Sequence, residues 1–394
     1  MNNSLALHQM RQKFNWLYQK NLAPNKKVIA IDGRVLMSAP AGIANYLINA
    51  INELSRQLPA WSFIILTNRD INPECFKLLA EADNIRHIKK RFTNIGILWY
   101  TIKLYHILKV LKPDYFWAPA NSLPPFVPKG IKTMLTVHDL VSKDFRQTMT
   151  MVNRIYNDRH FNKSIANADI IWAVSNFTKV ELEKRYPKRK CEDIFVGSAV
   201  DRSVFRPAKI FDVERKELLD RMGVGEKFLL YAGTVEPRKN IAFLLSLMPV
   251  LVREGYWLLI VGSKGWGKTN FSQILNSAGY PRDRVVFAGF LESDKLIKLY
   301  NCATVFISTS LNEGFSLPHL EAMNCGCPVV SPHNSAMIEL VQGAGLTVKG
   351  WEVDDWCAAV RDVTTNREKY VKQGFARALR YDWQEIVNKF RERL

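Results

Sequence analysis

The stretch FLLYAGTVEPRKNIAFLLSLMPVLVREGYWLLIVGS, residues 228–263, sets a strand, a helix and a second strand in direct succession. Residues 228–234 are an apolar run that ends with a glycine and a threonine, residues 241–251 are long and apolar enough for a buried helix, and residues 257–263 repeat the first run. Two apolar strands joined by a helix predict a parallel sheet covered by helices. This unit decides the fold class, because the rest of the chain repeats it.

The same alternation extends in both directions from this unit. Strand-like apolar runs precede it at 26–33, 62–67, 113–119, 133–139 and 169–175, and others follow it as RVVFAGF, TVFIST and CPVVSP. Helix-like segments separate several of these runs, among them residues 45–58 and 317–326. The sequence therefore predicts an α/β fold of two doubly wound domains, at 1–205 and 206–375, whose facing strand ends form a ligand cleft.

The charge of the chain is high and uneven. Its 394 residues include 55 lysines and arginines against 37 aspartates and glutamates, which gives a net charge of +18. Residues 1–207 hold 31 of these cations and 16 of the anions, so that half carries +15. A basic half indicates an acidic partner, and nucleic acid, anionic lipid and phosphorylated substrates all fit it.

Cysteine usage and hydropathy favour a protein of the reducing cytoplasm. The six cysteines are scattered without a C-x-x-C pair, which is typical of free buried thiols. The first residues do not have the pattern of a signal peptide, and no run of about 18 uncharged apolar residues occurs. We therefore expect a cytoplasmic protein without a membrane-spanning helix.

Residues 262–269, GSKGWGKT, fit the phosphate-loop pattern G-x-x-x-x-G-K-[ST] of ATPases and GTPases. The loop follows an apolar strand, and residues 270–277 can form the helix that such a loop needs. The mechanism also requires an aspartate for Mg²⁺ at the end of a later strand, and neither RVVFAGF nor TVFIST ends in one. The alternative is a strand-to-helix turn in which glycine and lysine have ordinary roles.

Charged residues follow two of the predicted strands. Arg238 and Lys239 lie between a strand and a helix, and two cations beside a helix N-terminus predict a phosphate site. His138 and Asp139 end another apolar run, where they form either a base or hydrogen-bonding pair for a ligand or a structural polar pair.

Two glycines stand where the backbone can approach a ligand. Gly233 ends the strand before Arg238, and Gly42 lies at the start of a predicted helix, where free N–H groups can receive an anion. A plain structural turn at Gly42 explains the sequence equally well.

The stretch NEGFSLPHLE, residues 312–321, sets two carboxylates eight positions apart. Gly314 permits a tight turn and Pro318 suits the first turn of a helix, so Glu321 is predicted inside that helix and Glu313 in the loop. A carboxylate would repel a phosphate at close range. Both are therefore expected to face neutral hydroxyl groups of the same ligand, such as those of a sugar and a ribose.

Four stretches in this order resemble the family 4 glycosyltransferases: AVSNFTKVEL at 173–182, YAGTVEPRKN at 231–240, the stretch from Glu313 to Glu321, and YDWQEIV at 381–387. The resemblance is strongest over residues 130–394, and IAIDGRVL with GIANYL near the N-terminus also fits it. It implies the GT-B fold, in which two Rossmann-like domains face each other, and a retaining transferase that uses a nucleotide sugar. It also implies that a helix within 376–394 returns to the N-terminal domain.

The resemblance implies roles for the charged residues. Arg238 and Lys239 would hold the donor diphosphate, Glu313 would contact the hydroxyls of the donor sugar, and Glu321 would contact the ribose. The two cations and a helix N-terminus would then supply the charge stabilisation for which other enzymes use a metal. Neither a metal nor a cofactor is expected, and the leaving phosphate would help to deprotonate the acceptor. A covalent intermediate on Glu313 is the alternative.

The resemblance also implies contacts from uncharged residues. His138 would face the donor sugar, Gly42 would lie beneath the diphosphate, and backbone N–H groups would approach the sugar or phosphate from Gly314, Phe315, Ser316 and Leu317. The family often has glycine where Ser316 stands. The family also carries a strand ending in VG with a nearby Gly-Trp, so the match at Lys268 and Thr269 becomes coincidental, although Lys264 or Lys268 can still lie near the donor.

The donor and acceptor are expectations from the style of the motifs. GDP-mannose is the first candidate donor, with UDP- and dTDP-sugars as alternatives, and the acceptor is expected to be a polyprenyl-linked saccharide of surface polysaccharide or lipopolysaccharide O-antigen synthesis. Residues 7–20 and 97–112 are basic and amphipathic or aromatic, which fits peripheral docking on the inner face of an anionic membrane or packing on the domain. A P-loop NTPase and a nucleic-acid-binding protein remain as other classes, although no nucleic-acid module is recognisable.

Overall fold

The computed structural model describes residues 26–91, 96–140, 151–189, 191–265, 267 and 271–394. Within these residues the chain forms two parallel sheets, one of seven strands and one of six. Helices connect most successive strands, as the alternation of apolar runs predicts, whereas a loop at 119–131 joins two neighbouring strands of the first sheet.

The first sheet has the strand order β3-β2-β1-β4-β5-β6-β7. Its strands are β1 Val28–Asp32, β2 Ser62–Thr67, β3 Ile85–Lys89, β4 Tyr115–Ala118, β5 Lys132–Val137, β6 Ile170–Ala173 and β7 Ile194–Val196. The register sets Ile31 of β1 between Ile65 of β2 and Trp117 of β4.

The second sheet has the order β10-β9-β8-β11-β12-β13. Its strands are β8 Phe228–Ala232, β9 Trp257–Val261, β10 Val285–Gly289, β11 Val305–Ile307, β12 Val329–Pro332 and β13 Leu346–Val348. In each sheet the strand order reverses once, between β1 and β4 and between β8 and β11. Ligands of open α/β sheets bind at such reversal points, outside the carboxyl ends of the strands.

Helices surround both sheets. In the first domain they are Gly42–Gln57, Pro73–Leu78, Gly96–Leu98, a π turn at Trp99–Lys103, Leu104–Leu111, Met151–Asn167 and Asn176–Arg185. After β7 they are Asp212–Met222, Ile241–Ser246, Met248–Leu251, Ser272–Leu275, Ser293–Cys302, Leu317–Asn324, Ser335–Val341, Val353–Thr365, Arg367–Ala378 and Trp383–Phe390.

Four helices differ from their predicted bounds, and one of them, predicted at 317–326, ends two residues early at Asn324. The predicted helix 241–251 is interrupted, because Pro249 in its second half has no N–H to continue the ladder. The helix predicted at 270–277 spans Ser272–Leu275 only, and the helix predicted at 45–58 begins three residues earlier, at Gly42.

Aromatic side chains join the end of the chain to the first sheet. Trp117 of β4 and Trp172 of β6, which flank β5 in the sheet, stack with centroids 5.6 Å apart. From the last helix, Phe390 packs 4.2 Å from Trp172 and Trp383 packs 5.3 Å from Tyr46. The helix Trp383–Phe390 therefore forms part of the core of the first domain.

Of the two basic stretches that fit membrane docking, 7–20 and 97–112, the structure describes the second. Residues 7–20 lie outside the described residues. Within 97–112, Trp99 and Tyr100 are buried against the first sheet, while Ile102 and Val110 remain exposed, so most of its aromatic surface packs on the domain. Among the described residues, every helix is too short or too polar to cross a bilayer.

Candidate functional site

The site begins with the turn that follows β8. The chain leaves the sheet at Gly233, makes a 3-10 turn at Pro237–Lys239 and enters the helix Ile241–Ser246. Asn240 joins the two with a φ of +50°, in the left-handed region. This turn directs Arg238 and Lys239 into the interior, where their side chains are 12% and 13% exposed.

Arg238 and Lys239 converge on one carboxylate. Nη1 of Arg238 lies 2.7 Å from Oε2 of Glu313, and Nζ of Lys239 pairs with the other oxygen. Arg238 also donates to Glu236, with Nη2 at 2.7 Å from Oε1. Two cations and two carboxylates balance one another here, so any anion that binds Arg238 or Lys239 has to take over contacts that Glu313 and Glu236 now make.

The charges of this cluster reinforce one another. Burial would raise the pKa of Glu313, but Lys239 and Arg238 outweigh that effect and hold it well below its ordinary value. Burial would lower the pKa of Arg238, but Glu313 and Glu236 raise it. Glu313 and Arg238 are therefore ionised at neutral pH. A carboxylate held by two cations is a weak nucleophile, but it can accept hydrogen bonds from hydroxyl groups.

Backbone contacts bind the turn after β8 to the loop after β11. The hydroxyl of Thr309 donates to the carbonyl of Lys239 at 3.0 Å, and the N–H of Leu311 donates to the carbonyl of Arg238 at 2.8 Å. The N–H of Glu313 donates to Oγ of Ser335 at 3.0 Å. β8 and β11 are neighbours at the reversal point of the sheet, which explains why segments 70 residues apart form one site.

Gly314 brings the loop against the N-terminal domain. A Cβ on this residue would lie 1.6 Å from the carbonyl oxygen of His138, so the space accepts glycine alone. The negative charge of Asp139 contributes to the raised pKa of Arg238 across the same gap. The structure thus brings the two sequence-predicted loops, 138–139 and 313–317, into direct contact.

Ser316 holds an unusual backbone conformation. Its φ and ψ are +76° and +79°, which explains why glycine suits this position in the family that the sequence resembles. Its Oγ lies 2.7 Å from Nδ1 of the buried His319, whose Nε2 lies 2.9 Å from Oγ of Ser331. These two hydrogen bonds hold Ser316 in a backbone conformation that glycine adopts more readily.

The other residues of the turn lead into a helix. Phe315 is buried, with its ring 5.5 Å from that of Tyr381, and Leu317 begins the helix Leu317–Asn324. Glu321, inside this helix, accepts a hydrogen bond of 2.9 Å from the hydroxyl of Tyr300. Burial raises the pKa of Glu321 to about 7, and the bond from Tyr300 offsets part of that rise.

His138 is fixed in one orientation. Its backbone N–H donates to Oδ1 of Asn121 at 2.8 Å, and its Nε2 lies 2.7 Å from the carbonyl oxygen of Pro119. A carbonyl only accepts, so Nε2 carries the proton and Nδ1 has a lone pair. Loss of hydration lowers the pKa of His138 to about 4, although its bond to Pro119 opposes this, and the ring is neutral at pH 7. His138 can accept a hydrogen bond from a hydroxyl through Nδ1.

Gly42 begins the 16-residue helix Gly42–Gln57 beside β1. Within the described residues, no side chain caps this helix N-terminus, and a Cβ on Gly42 would meet none of their atoms within 4 Å. The first N–H groups of a helix left without such a cap are suited to an anion.

The glycines of the GSKGWGKT stretch pack against the turn after β8. A Cβ on Gly262 would lie 1.9 Å from the carbonyl oxygen of Gly233, and one on Gly265 would lie 3.1 Å from Cβ of Glu236. Lys264 pairs with Val235 as an isolated β-bridge. Lys268 and Thr269 lie outside the described residues. The close contacts explain the glycines without a phosphate, and the following helix, Ser272–Leu275, is a single turn.

Sequence reasoning missed several residues that shape the site. Glu236 lies two positions before Arg238, so its acidity next to a predicted phosphate site was the available signal. Tyr300 and Ser335 carry no local signal, because each meets the site through tertiary packing. His319 lies inside the stretch 312–321 and contacts Ser316 three positions earlier, so its place in that stretch was the available signal. In the described part of the chain, histidines, cysteines and acidic residues form no group of three that could hold a metal ion.

Comparison with known proteins identifies the domain that carries most of these residues. Residues 217–376 match the model of a family described as glycosyl transferases group 1. The match covers all six strands of the second sheet, and with them Arg238, Lys239, Glu313 and Glu321.

Two similar proteins of Escherichia coli are mannosyltransferases by name. The O-antigen chain mannosyltransferase B is 31% identical over 240 residues, which is 59% of this chain and 62% of that protein. The serotype-specific mannosyltransferase WbdA is 26% identical over 286 residues, which is 68% of this chain and 33% of that protein. The chain thus spans less than two thirds of either relative.

Solved structures establish the fold. The structure of Anabaena HepE in complex with UDP and glucose has a TM-score of 0.71 and 17% identity, and it covers 93% of this chain and 98% of its own. The predicted α/β fold of two facing doubly wound domains, the GT-B fold, is confirmed. The resemblance to glycosyltransferases is confirmed by the family match and by the relatives.

Proposed function

We propose that this chain, with its glycosyl transferases group 1 domain, is a retaining, metal-independent glycosyltransferase that moves a hexose from a nucleotide sugar to a saccharide acceptor. One observation carries the proposal: Arg238 and Lys239 converge on Glu313 at the carboxyl edge of the second sheet, beside the N-terminal domain. This arrangement supplies cations for a diphosphate and an acceptor of hydrogen bonds for a sugar within one cluster.

The chemistry needs charge stabilisation on the leaving group. As the bond to the sugar breaks, negative charge develops on the nucleoside diphosphate, and Arg238 and Lys239 stabilise it. Glu313, released from the two cations by the phosphates, accepts hydrogen bonds from sugar hydroxyls. No general base is assigned among the protein residues, because the leaving phosphate can take the proton of the acceptor hydroxyl on the same face of the sugar.

The remaining contacts follow from the orientation of the side chains. His138 accepts a hydrogen bond from a donor hydroxyl through Nδ1, and Glu321 accepts hydrogen bonds from the ribose. The backbone N–H groups at 314–317 and at the free N-terminus of the helix Gly42–Gln57 face the anionic part of the donor.

The proposed donor is GDP-mannose, and the proposed acceptor is a polyprenyl-linked saccharide of O-antigen or similar polysaccharide synthesis. The names of the two Escherichia coli relatives support mannose and the O-antigen. The charge of +15 over residues 1–207 supports an anionic acceptor or a peripheral position on the cytoplasmic face of a membrane. A UDP-sugar is the second candidate, because the structurally similar HepE was solved with UDP and glucose.

The test is a thermal-shift panel with GDP, UDP, dTDP, ADP and ATP–Mg²⁺, each at millimolar concentration, with EDTA in the metal-free samples. A ligand at 100 times its Kd stabilises a protein by about 2.7 kcal/mol, which is readily measured. We expect a shift with one non-adenine diphosphate, and its loss in Arg238→Ala. A shift with ATP–Mg²⁺ alone would overturn the proposal in favour of a phosphate loop at 262–269.

A further inference from the structure

The stretch AVSNFTKVEL, residues 173–182, has no role in the donor chemistry described above. It follows β6 and begins the helix Asn176–Arg185 of the N-terminal domain. Its first hydroxyl side chains reach across the domain boundary to the loop 313–317, which we call the donor loop. Oγ of Ser175 lies 2.5 Å from the carbonyl oxygen of Gly314, and Oγ1 of Thr178 lies 3.1 Å from the same oxygen.

Both hydroxyls are buried at this contact. Ser175 and Thr178 are each 1% exposed, so neither has water as an alternative partner. Ser175 also accepts the N–H of Thr178 at 3.0 Å, which caps the helix, and its hydroxyl lies 3.1 Å from Oγ1 of Thr178 as well as against Gly314. A buried carbonyl without these donors would be left unsatisfied, which makes the contact costly to break.

A carboxylate of the C-terminal domain adds further hydrogen bonds to this contact between the two domains. Glu339 accepts from the backbone N–H groups of Asn176 and Phe177, at 3.4 and 3.2 Å, and from Nδ2 of Asn176 at 3.1 Å. Its negative charge lies at the positive end of the helix Asn176–Arg185. The helix of one domain is thus capped by a side chain of the other.

The helix Ser335–Val341 of the C-terminal domain, which bears Glu339, also contacts the donor loop. Ser335, at the start of the helix Ser335–Val341, accepts the N–H of Glu313, and the N–H of Ala336 donates to the carbonyl of Glu313 at 3.3 Å. Glu313 and Gly314 are therefore held from one side by this helix and from the other by Ser175 and Thr178.

We infer that Ser175, Thr178 and Glu339 are positioning residues that hold the donor loop against the N-terminal domain, so that the donor sugar faces the acceptor. The inference rests on the proposed function for its catalytic consequence. The cations for the diphosphate belong to the C-terminal domain alone, so loss of these contacts should reduce turnover while nucleotide binding persists.

The test compares Ser175→Ala/Thr178→Val and Glu339→Gln with wild type and with Val180→Ser, a change at an exposed position of the same helix. Three measurements are made on the full chain: the radius of gyration of the ligand-free protein by small-angle scattering, the Kd of GDP by calorimetry, and kcat for transfer from GDP-mannose. If another diphosphate stabilises the wild type, it and its sugar replace GDP and GDP-mannose.

We expect a larger radius of gyration in both variants, a GDP Kd within about twofold of wild type, and a kcat lower by about tenfold, as for the loss of one or two hydrogen bonds. An unchanged radius and kcat would overturn the inference, as would a rise in Kd equal to the fall in kcat. If the wild type transfers no sugar, the proposed function fails. The scattering result then decides the inference alone.

Discussion

Glu313 is the residue on which both cations of the candidate site converge. In the ligand-free state it holds both Arg238 and Lys239, and its side chain is 8% exposed. A buried charge that loses its partner is strongly destabilising, by about 3 to 5 kcal/mol. Glu313 neutralises both cations in this state, and under the proposed function it binds hydroxyl groups once the donor has arrived.

We predict that Glu313→Gln lowers the free energy of unfolding by about 3 kcal/mol and abolishes transfer, while GDP binds at least as tightly as to wild type. The reason is that the diphosphate then meets two cations without a competing carboxylate. Urea unfolding with and without GDP measures both effects, and GDP should restore more stability in the variant than in wild type.

Glu254→Gln is the matched control for that prediction. Glu254 pairs with Arg361 on the surface, where the side chains are 30% and 48% exposed, so its loss should cost well under about 1 kcal/mol. Weaker GDP binding in Glu313→Gln would show that Glu313 does not compete with the phosphates.

Glu321 should make stability depend on pH. Burial raises its pKa to about 7 in the folded state, above the unfolded value near 4.3, so the folded protein binds this proton more tightly. The free energy of unfolding therefore falls as pH rises from about 4.5 to 7, by about 3 kcal/mol in total. Glu321→Gln resembles the protonated acid and should lack this part of the decline.

Urea unfolding of wild type and Glu321→Gln at pH 5, 6, 7 and 8 checks this prediction. The variant should gain stability relative to wild type from pH 5 to 7 and little more between pH 7 and 8. A constant difference between the two proteins would mean that Glu321 does not titrate in this range.

Among the elements, the sequence predicts most strands but misses three of the four edge strands. The bounds of β2 agree with the predicted run, and those of β8 and β9 lie inside it. β3, β7 and β13 were not predicted. β3 and β13 are only partly buried and β7 has three residues, so none has the long apolar run of a strand covered on both faces.

The loop after β9 shows how a sequence motif can have a structural cause. Its pattern fits a phosphate loop, but Gly262 is required because the backbone of Gly233 passes against it. Only the pairing of β8 with β9 reveals this contact, since the two glycines are 29 positions apart in the sequence.

We predict that Gly262→Ala destabilises the protein by about 3 kcal/mol or more, because the new Cβ would lie 1.9 Å from the Gly233 carbonyl oxygen and φ is +145°. Gly96→Ala is the control, since its Cβ would meet no atom of the described part of the chain within 4 Å. Thermal unfolding of wild type and both variants without nucleotide measures the loss of stability. Wild-type stability with loss of ATP binding would favour the phosphate loop.

At the scale of the whole molecule, two domains meet at the donor loop. The sequence predicts the two domains and the loops at their strand ends, and the structure brings His138 and Gly314 together. The contacts of Ser175 and Thr178 with Gly314 were not predicted, because more than 130 residues separate them in the chain and no local pattern records which faces meet.

We predict that Gly314→Ala separates the domains at this point, because the added Cβ would lie 1.6 Å from the carbonyl oxygen of His138. The backbone cannot give way as a flexible side chain could, so the radius of gyration should rise and transfer should be lost. Small-angle scattering beside Gly96→Ala measures the change. An unchanged radius with full activity would show that the two domains do not meet here in solution.

The most direct test of the central claim is sugar transfer itself. Wild type and Arg238→Ala are incubated in EDTA with GDP-mannose labelled in the sugar, with UDP-glucose in parallel, and with a lipid extract of O-antigen-producing membranes as the source of acceptors. We predict a labelled saccharide product whose new bond keeps the configuration of the donor, formed by wild type and reduced by about a hundredfold or more in the variant. The same label and nucleotide release from both proteins, or none from either sugar, would contradict the account.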